Sequence, residues 1–143
     1  MKVREIMSSH VVRIGGEEPV EAAARALTHY NIGILPVCGP DGRLCGVVTD
    51  RDLVTRIMAP GRAADQVKVK EVMTGRVVTV SPEDHTLTAA GIMAREQVRR
   101  LPVVEKGKLC GMVSLADLAA TENGSLDAAD ALMEITSNIC KKD

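Results

Sequence analysis

The 143-residue chain has no tryptophan, no phenylalanine and one tyrosine, Tyr30. Its core must therefore be aliphatic and methionine-filled. A planar ligand would lie between Val, Ile, Leu and Met side chains, with Tyr30 alone available for stacking. Nor is there an excess of positive charge: 18 Lys and Arg stand against 19 Asp and Glu, for a formal charge of −1. That balance excludes the basic field of a nonspecific nucleic-acid or membrane-surface binder. No stretch approaches the ~20 apolar residues of a membrane span. The first residues, MKVREIMSSH, carry Glu5 and lead into no apolar run, unlike a signal peptide, so a cytoplasmic location is expected.

Chemistry-bearing clusters are missing too. The four cysteines form no CxxC pair and no disulfide framework. His10, His29 and His85 have no ligand spacing, and no metal site is expected. With no Ser-His-Asp set and no glycine-rich phosphate loop, an enzyme is not expected either.

What the chain does have is itself, twice. Val3–Leu53 aligns with Val69–Leu118 at an offset of 66 up to Gly39 and of 65 after a deletion at Pro40; 18 of the 50 aligned pairs are identical. A unit that cannot bury its own apolar face does so against its twin, and two copies are too few for a solenoid. A pseudo-twofold pair with equivalent clefts between the halves is expected. The length suits one compact core or two half-domains sharing one.

Each copy opens with an apolar lead-in, Val3-Ile6-Met7 or Val69-Val72-Met73, and a β-branched run follows, Val11–Ile14 or Val77–Val80. In copy 1 the next helix starts at Glu17-Glu18-Pro19. In copy 2, Ser81 reads as an N-cap with Pro82 at the first helical position. Val20, Ala23, Ala24 and Leu27 keep helical spacing, as do Leu87, Ala90 and Met93. Strands are predicted at Ile34–Val37 and Leu44–Val48, and again at Leu101–Val104 and Leu109–Val113. Pro36 and Pro102 should lie at strand ends or on an edge. A short helix closes each copy, from Asp50 to about Met58 and from Leu115 to about Thr121. The predicted order is β-α-β-β-α, twice. Repeat 1 occupies residues 1–58, a breaker-rich linker 59–66, repeat 2 residues 67–122 and a helical tail 123–143. The tail's predicted stripe is Leu126, Ala129, Leu132, Met133 and Ile139; it packs on its own module or covers a neighbouring subunit.

Cys45 and Cys110 are repeat equivalents and read as small buried hydrophobes. Cys38 and Cys45 flank the turn Gly39–Gly42, and a cross-strand redox pair is the second reading.

The sharpest local signature is the strand-to-helix junction, Gly46–Asp52 (GVVTDRD) and Gly111–Asp117 (GMVSLAD). A hydroxyl followed three residues later by an acid is a helix capping box. The same geometry serves a ligand, because first-turn N–H groups attract phosphate and an ionised aspartate can accept both hydroxyls of a ribose. Both readings stand.

The duplicated pattern resembles a tandem pair of CBS domains, a regulatory module named after cystathionine β-synthase. The residues that carry the resemblance are Met7 and Met73 in the lead-ins, the Leu-Pro-Val triplets at Leu35 and Leu101, the glycine turn before each Leu-Cys-Gly, and the two G-h-h-[ST]-x-x-D ends; the match covers residues 1 to about 122. It implies an α/β fold of two β-α-β-β-α repeats packed sheet to sheet about a pseudo-twofold axis, with the C-terminal helix added. It further implies a non-catalytic sensor whose clefts bind AMP, ADP, ATP, S-adenosylmethionine or NAD. Asp52 and Asp117 would take riboses, with Thr49 and Ser114 beside them. The base would lie near Ile14, Ile34, Leu35 and Pro36 in one copy, and near Val80, Arg100, Leu101 and Pro102 in the other. Where copy 1 has Gly33-Ile34, copy 2 has Arg99-Arg100: either one arginine reaches a phosphate or both are solvated. His10 and Arg76 are weaker candidates for the same role. The resemblance also implies a homodimer, parallel or antiparallel, and a separate downstream protein as output. The alternative is a structural dimerisation or docking module with empty clefts.

Overall fold

Val3, Val69 and Val72 are among the apolar positions of two short lead-ins, and all three are fully buried, worth about 1.5–3 kcal/mol apiece. In the computed structural model, which describes residues 1–121 and 125–141 (the side chains of 125 and 138–141 excepted), each lead-in packs on the body of the other repeat. The chain divides accordingly into two compact units, residues 1–11, 78–106 and 110–143 in one, 12–77 and 107–109 in the other.

In the second unit, β1 (Ile14–Gly15), α1 (Val20–Tyr30), β2 (Ile34–Cys38), β3 (Leu44–Thr49) and α2 (Asp50–Leu53) follow in order, α2 running on into a π-helical turn, Val54–Met58. β2 is the central strand, parallel to β1 and antiparallel to β3. The lead-in helix α3 (Val69–Val72) docks through Val69 N–H to Glu18 O (2.9 Å) and Lys70 N–H to Gly16 O (3.0 Å), and Val20 N–H reaches back to Val67 O (2.8 Å). The first unit repeats these bonds at equivalent positions: Val3 N–H to Asp84 O (2.8 Å), Arg4 N–H to Pro82 O (3.0 Å) and Thr86 N–H to Met1 O (2.9 Å). It contains α4 (Thr86–Glu96), β4 (Arg100–Glu105), β5 (Lys108–Ser114) from Cys110 onward, α5 (Leu115–Ala119) and α6 (Ser125–Lys141).

The crossing explains one glycine in each repeat. A methyl group on Gly46 would lie 2.6 Å from Thr74 O, and one on Gly111 would lie 2.8 Å from Ser8 O. Residues 8 and 74 run against β5 and β3, bonding reciprocally with Met112 and Val47. The Gly in each Leu-Cys-Gly is the space through which the other repeat's lead-in passes.

Several expectations are corrected. The β-branched runs are barely strands: of Val11–Ile14 only Ile14 pairs, in a two-residue strand with Gly15, and copy 2 has only a parallel bridge from Val80 to Val103. Pro36 lies inside the central strand, opposite Val47. Val47 spends its N–H and C=O on Thr74, so this cross-strand pair exchanges no hydrogen bond and the missing proline N–H costs nothing. Helix α4 starts at Thr86, not at Pro82, because the carbonyls of Pro82 and Asp84 accept from the lead-in instead. Ser81 and Asp84 close a turn ahead of it, and His85 Nδ1 caps the helix by accepting from Leu87 N–H (3.0 Å).

The tail helix buries a different face from the predicted stripe. Ala128, Ala131 and Ile135 are buried against the body of their unit, where α6 packs on α4 and α5, while Leu126 and Met133 are 79% and 70% exposed. Alanines let helix backbones approach closely, so the bulky positions did not mark the contact. Ile139 lies outside the described side chains. Among the described residues, no helix is long and apolar enough to cross a membrane.

Candidate functional site

A hydroxyl at the end of β3 or β5 and a carboxylate on the first helical turn form a reciprocal pair in both repeats. Thr49 Oγ1 accepts from Asp52 N–H (3.1 Å) and Asp52 Oδ2 accepts from Thr49 N–H (3.0 Å). Ser114 Oγ accepts from Asp117 N–H (3.1 Å) and Asp117 Oδ2 accepts from Ser114 N–H (2.8 Å). The capping box is therefore formed twice, and each aspartate commits one oxygen to it.

Around that shared frame the junctions diverge. Asp52 is 7% exposed, the one buried charged residue among those described. Thr74 Oγ1 donates to it, 3.3 Å from each carboxylate oxygen, and Arg56 Nε lies 3.9 Å from Oδ1. Asp117 is half-buried, and its Oδ1 has no partner among the described residues. The residue equivalent to Thr74 is Ser8, whose hydroxyl goes to His10 O; the residue equivalent to Arg56 is Thr121, whose hydroxyl goes to Leu118 O.

The first-turn N–H groups differ as well. In repeat 1 all three are taken: Asp50 N–H by Gly33 O, Arg51 N–H by Asp50 Oδ1 and Asp52 N–H by Thr49. In repeat 2 Leu115 N–H goes to Arg99 O (2.8 Å) and Asp117 N–H to Ser114. Leu115 has no side-chain acceptor to match Asp50, and Ala116 N–H has no partner among the described residues. Repeat 1 thus caps itself with an acid, and repeat 2 leaves a donor and an acceptor open.

A cavity of about 450 Å³ adjoins the repeat 2 junction, lined by Arg99, Arg100, Ser114, Leu115 and Ala116 with Ala119 from α5 and Ala128, Ala129 and Leu132 from α6. Sequence reasoning missed the contribution of α6, which no repeat pattern signals. The other candidates lie elsewhere. Ile14 lines a second cavity, of about 570 Å³, with Arg13, Gly16, Cys38, Cys45 and Met73. Leu35, Pro36, Val80, Leu101 and Pro102 are buried in the cores of their units, and Ile34 is half-buried. His10 and Arg76 are exposed and line neither cavity.

Cys38 is buried, and burial pushes its thiol upward. Cys45 is exposed, against expectation, because the register shifts between Val37 and Cys38, leaving Leu44 and Cys45 opposite Cys38 alone. Cys110 is half-buried with Sγ 3.3 Å from Val103 O, and burial raises its thiol also. A repeated charge device escaped the sequence reading. Glu17 meets Lys68 and Lys70 at 2.7 and 2.6 Å, and Glu83 meets Lys2 and Arg4 at the equivalent positions. Hydrogen bonds from Lys68 and Lys70 hold the Glu17 carboxyl down at about 2. Among the described residues, no three His, Cys, Asp or Glu side chains converge on a metal position.

The family model of the CBS domain matches residues 3–59 and 69–123. The CBS domain-containing protein YhcV of Bacillus subtilis is 35% identical over 134 residues, covering 94% of this chain and 94% of its own length. Hypoxic response protein 1 of Mycobacterium tuberculosis is 35% identical over 116 residues, 81% of each chain. The crystal structure of Hypoxic Response Protein I, with two coordinated zinc ions, matches at a TM-score of 0.76 and 34% identity over 83% of this chain and 97% of that one. The CBS domain pair of MJ0100, solved with 5′-methylthioadenosine and S-adenosyl-L-methionine, shares the fold at a TM-score of 0.72 and 23% identity, over 83% of this chain and 93% of that one.

Proposed function

The chain belongs to the CBS-domain family, and on that premise we propose that it is a non-catalytic sensor that binds an adenine nucleotide and signals to a partner protein. The observation that carries this reading is the open half of the repeat 2 junction. Asp117 Oδ1 is without a partner among the described residues, on a carboxylate whose other oxygen is fixed by Ser114 N–H at 2.8 Å. A carboxylate so oriented accepts a ribose hydroxyl at little entropic cost. That MJ0100 was solved with two adenosine-containing ligands supports the ligand class.

Binding shifts a conformational equilibrium only by its differential affinity for the two states. The output is therefore a change of shape or affinity read by another protein, and the sensor acts as a cytoplasmic homodimer. A single species at monomer mass in size exclusion with light scattering, at micromolar concentration, would contradict the dimer.

A second reading has its own support in repeat 1. Asp52 there is buried and its hydrogen bonds are satisfied within the protein, which suits a structural cap with an empty cleft. A dye-based thermal-shift panel of AMP, ADP, ATP, S-adenosylmethionine and NAD separates the two. A ligand at 100 times its Kd stabilises by about 2.7 kcal/mol, several degrees for a domain this size. The sensor predicts a shift for at least one nucleotide that Asp117→Ala removes. No shift for any of the five leaves the structural module as the account.

A further inference from the structure

We propose that Cys38 and Cys45 form an oxidisable thiol pair, in which Cys45 reduces a hydroperoxide and Cys38 resolves the product to a disulfide across the β2–β3 hairpin. The register shift leaves Leu44 and Cys45 opposite Cys38 alone. Neighbours across an antiparallel pair stand about 4.5–5.5 Å apart at Cα, within the span of a disulfide. A methyl group on Gly39 would lie 3.9 Å from Cys45 Sγ, so that sulfur rests against the backbone next to Cys38. Both residues line the cavity of about 570 Å³ at the turn end of the sheet. At the other end Ile34 pairs with Thr49, so the thiol pair is separate from the capping box at Asp52.

Cys45 is exposed and Cys38 buried, so a peroxide dissolved in water meets Cys45 first. As thiolate, Cys45 attacks one peroxide oxygen, the O–O bond breaks, and the departing oxygen takes the thiol's proton, leaving a sulfenic acid. Cys38 then attacks the Cys45 sulfur; an S–S bond forms, the S–O bond breaks, and water leaves with the Cys38 proton. Two thiols lose two electrons, and one hydroperoxide becomes water and an alcohol, or two waters. Burial raises the Cys38 thiol, while Arg13, hydrogen-bonded to it, pulls the other way and favours the thiolate that Cys38 becomes as it attacks. Of the carboxylates in the lining, Glu17 is engaged by Lys68 and Lys70, and Glu18 accepts from Gly15 N–H (3.1 Å). Among the described residues, no third His, Cys, Asp or Glu converges with the two thiols, which leaves them short of a metal site. Repeat 2 differs: Val104 stands where repeat 1 has Cys38, and burial and then Glu105 raise the Cys110 thiol. Six residues separate Cys38 from Cys45, so closure adds little stability and the bond serves as a reversible signal.

The test treats the full chain with a small excess of hydrogen peroxide, blocks the remaining thiols and digests with trypsin, which cuts after Arg43 and so parts the two cysteines. Mass spectrometry should find residues 26–43 joined to residues 44–51, a link that dithiothreitol undoes. The link should form at least tenfold faster in the folded chain than in urea, where the same short loop closes by chance, and at least tenfold faster than Cys110 is oxidised. Arg13→Met, at an exposed position, should slow the link severalfold with the melting temperature unchanged. In Cys38→Ser, Cys45 should go on to sulfinic acid instead. Equal rates in the folded chain and in urea would overturn the proposal. So would sulfinic acid at Cys45 beside an unmodified Cys38 in the wild type, or disulfides formed between chains in place of the internal link.

Discussion

The two strand-to-helix junctions share a backbone path, a hydroxyl and an aspartate, yet one is closed and the other open. In repeat 1, Asp52 is buried and engaged by Thr49 N–H, Thr74 and Arg56, and Asp50 absorbs the remaining first-turn donor. In repeat 2 the three residues that would do this are Ser8, Thr121 and Leu115. Two spend their hydroxyls on nearby carbonyls and the third has none. The lesson is that a motif does not assign its own role. Thr-x-x-Asp and Ser-x-x-Asp make the same capping box; two residues outside each motif decide whether a carboxylate oxygen is left for a ligand, and the residue after the hydroxyl decides whether a first-turn N–H is.

The comparison breaks most visibly in stability. Asp52→Ala removes the cap, the Thr74 hydrogen bonds and the Arg56 contact, and should cost about 2–3 kcal/mol; Asp117→Ala, which loses only the cap, should cost about 1 kcal/mol. Chemical denaturation of both variants checks the ordering, and equal losses would erase the distinction. Nucleotide affinity should run the other way: Asp117→Ala weakens binding by about 1.5–3 kcal/mol, and Asp52→Ala changes it less than twofold. Thr74→Val isolates the third residue. It should cost about 1 kcal/mol, while Ser8→Ala at the equivalent position costs less, because its bond to His10 O is exposed and long at 3.3 Å.

The smallest effect concerns acid. Glu17 is held near 2 by Lys68 and Lys70, below its ordinary 4.5. Its stabilisation is complete above about pH 4.5 and fades as pH falls toward 2. Glu17→Gln should therefore flatten the melting temperature between pH 4.5 and 2.5 relative to wild type. The effect should shrink in salt, since the triad is solvent-exposed.

Much of this was legible because the signals are short-range. The helical stripe through Val20, Ala23 and Leu27, the Gly turns and both capping boxes depend on residues a few positions apart, and the duplication checked each against its copy. What the chain concealed depends on pairing across its length. That Val69 and Val72 belong to the core of repeat 1, and Val3 to that of repeat 2, follows from no local pattern. Yet it explains why Gly46 and Gly111 are glycine, why Pro36 is tolerated in a central strand, and why Ser81 does not start α4. The bulge that exposes Cys45 and the alanine face of α6 are likewise tertiary. At the site, Asp52 and Asp117 were found by motif, but their inequality was set by Thr74, which the motif does not contain, and by Asp50, at one of its variable positions.

Calorimetric titration of ATP into the wild-type chain, Asp52→Ala and Asp117→Ala tests the central claim most directly, because stoichiometry counts open junctions. The account predicts one nucleotide per chain in the wild type and in Asp52→Ala, and none in Asp117→Ala at the same concentrations. Two nucleotides per chain, or binding lost with Asp52→Ala and kept with Asp117→Ala, would contradict it.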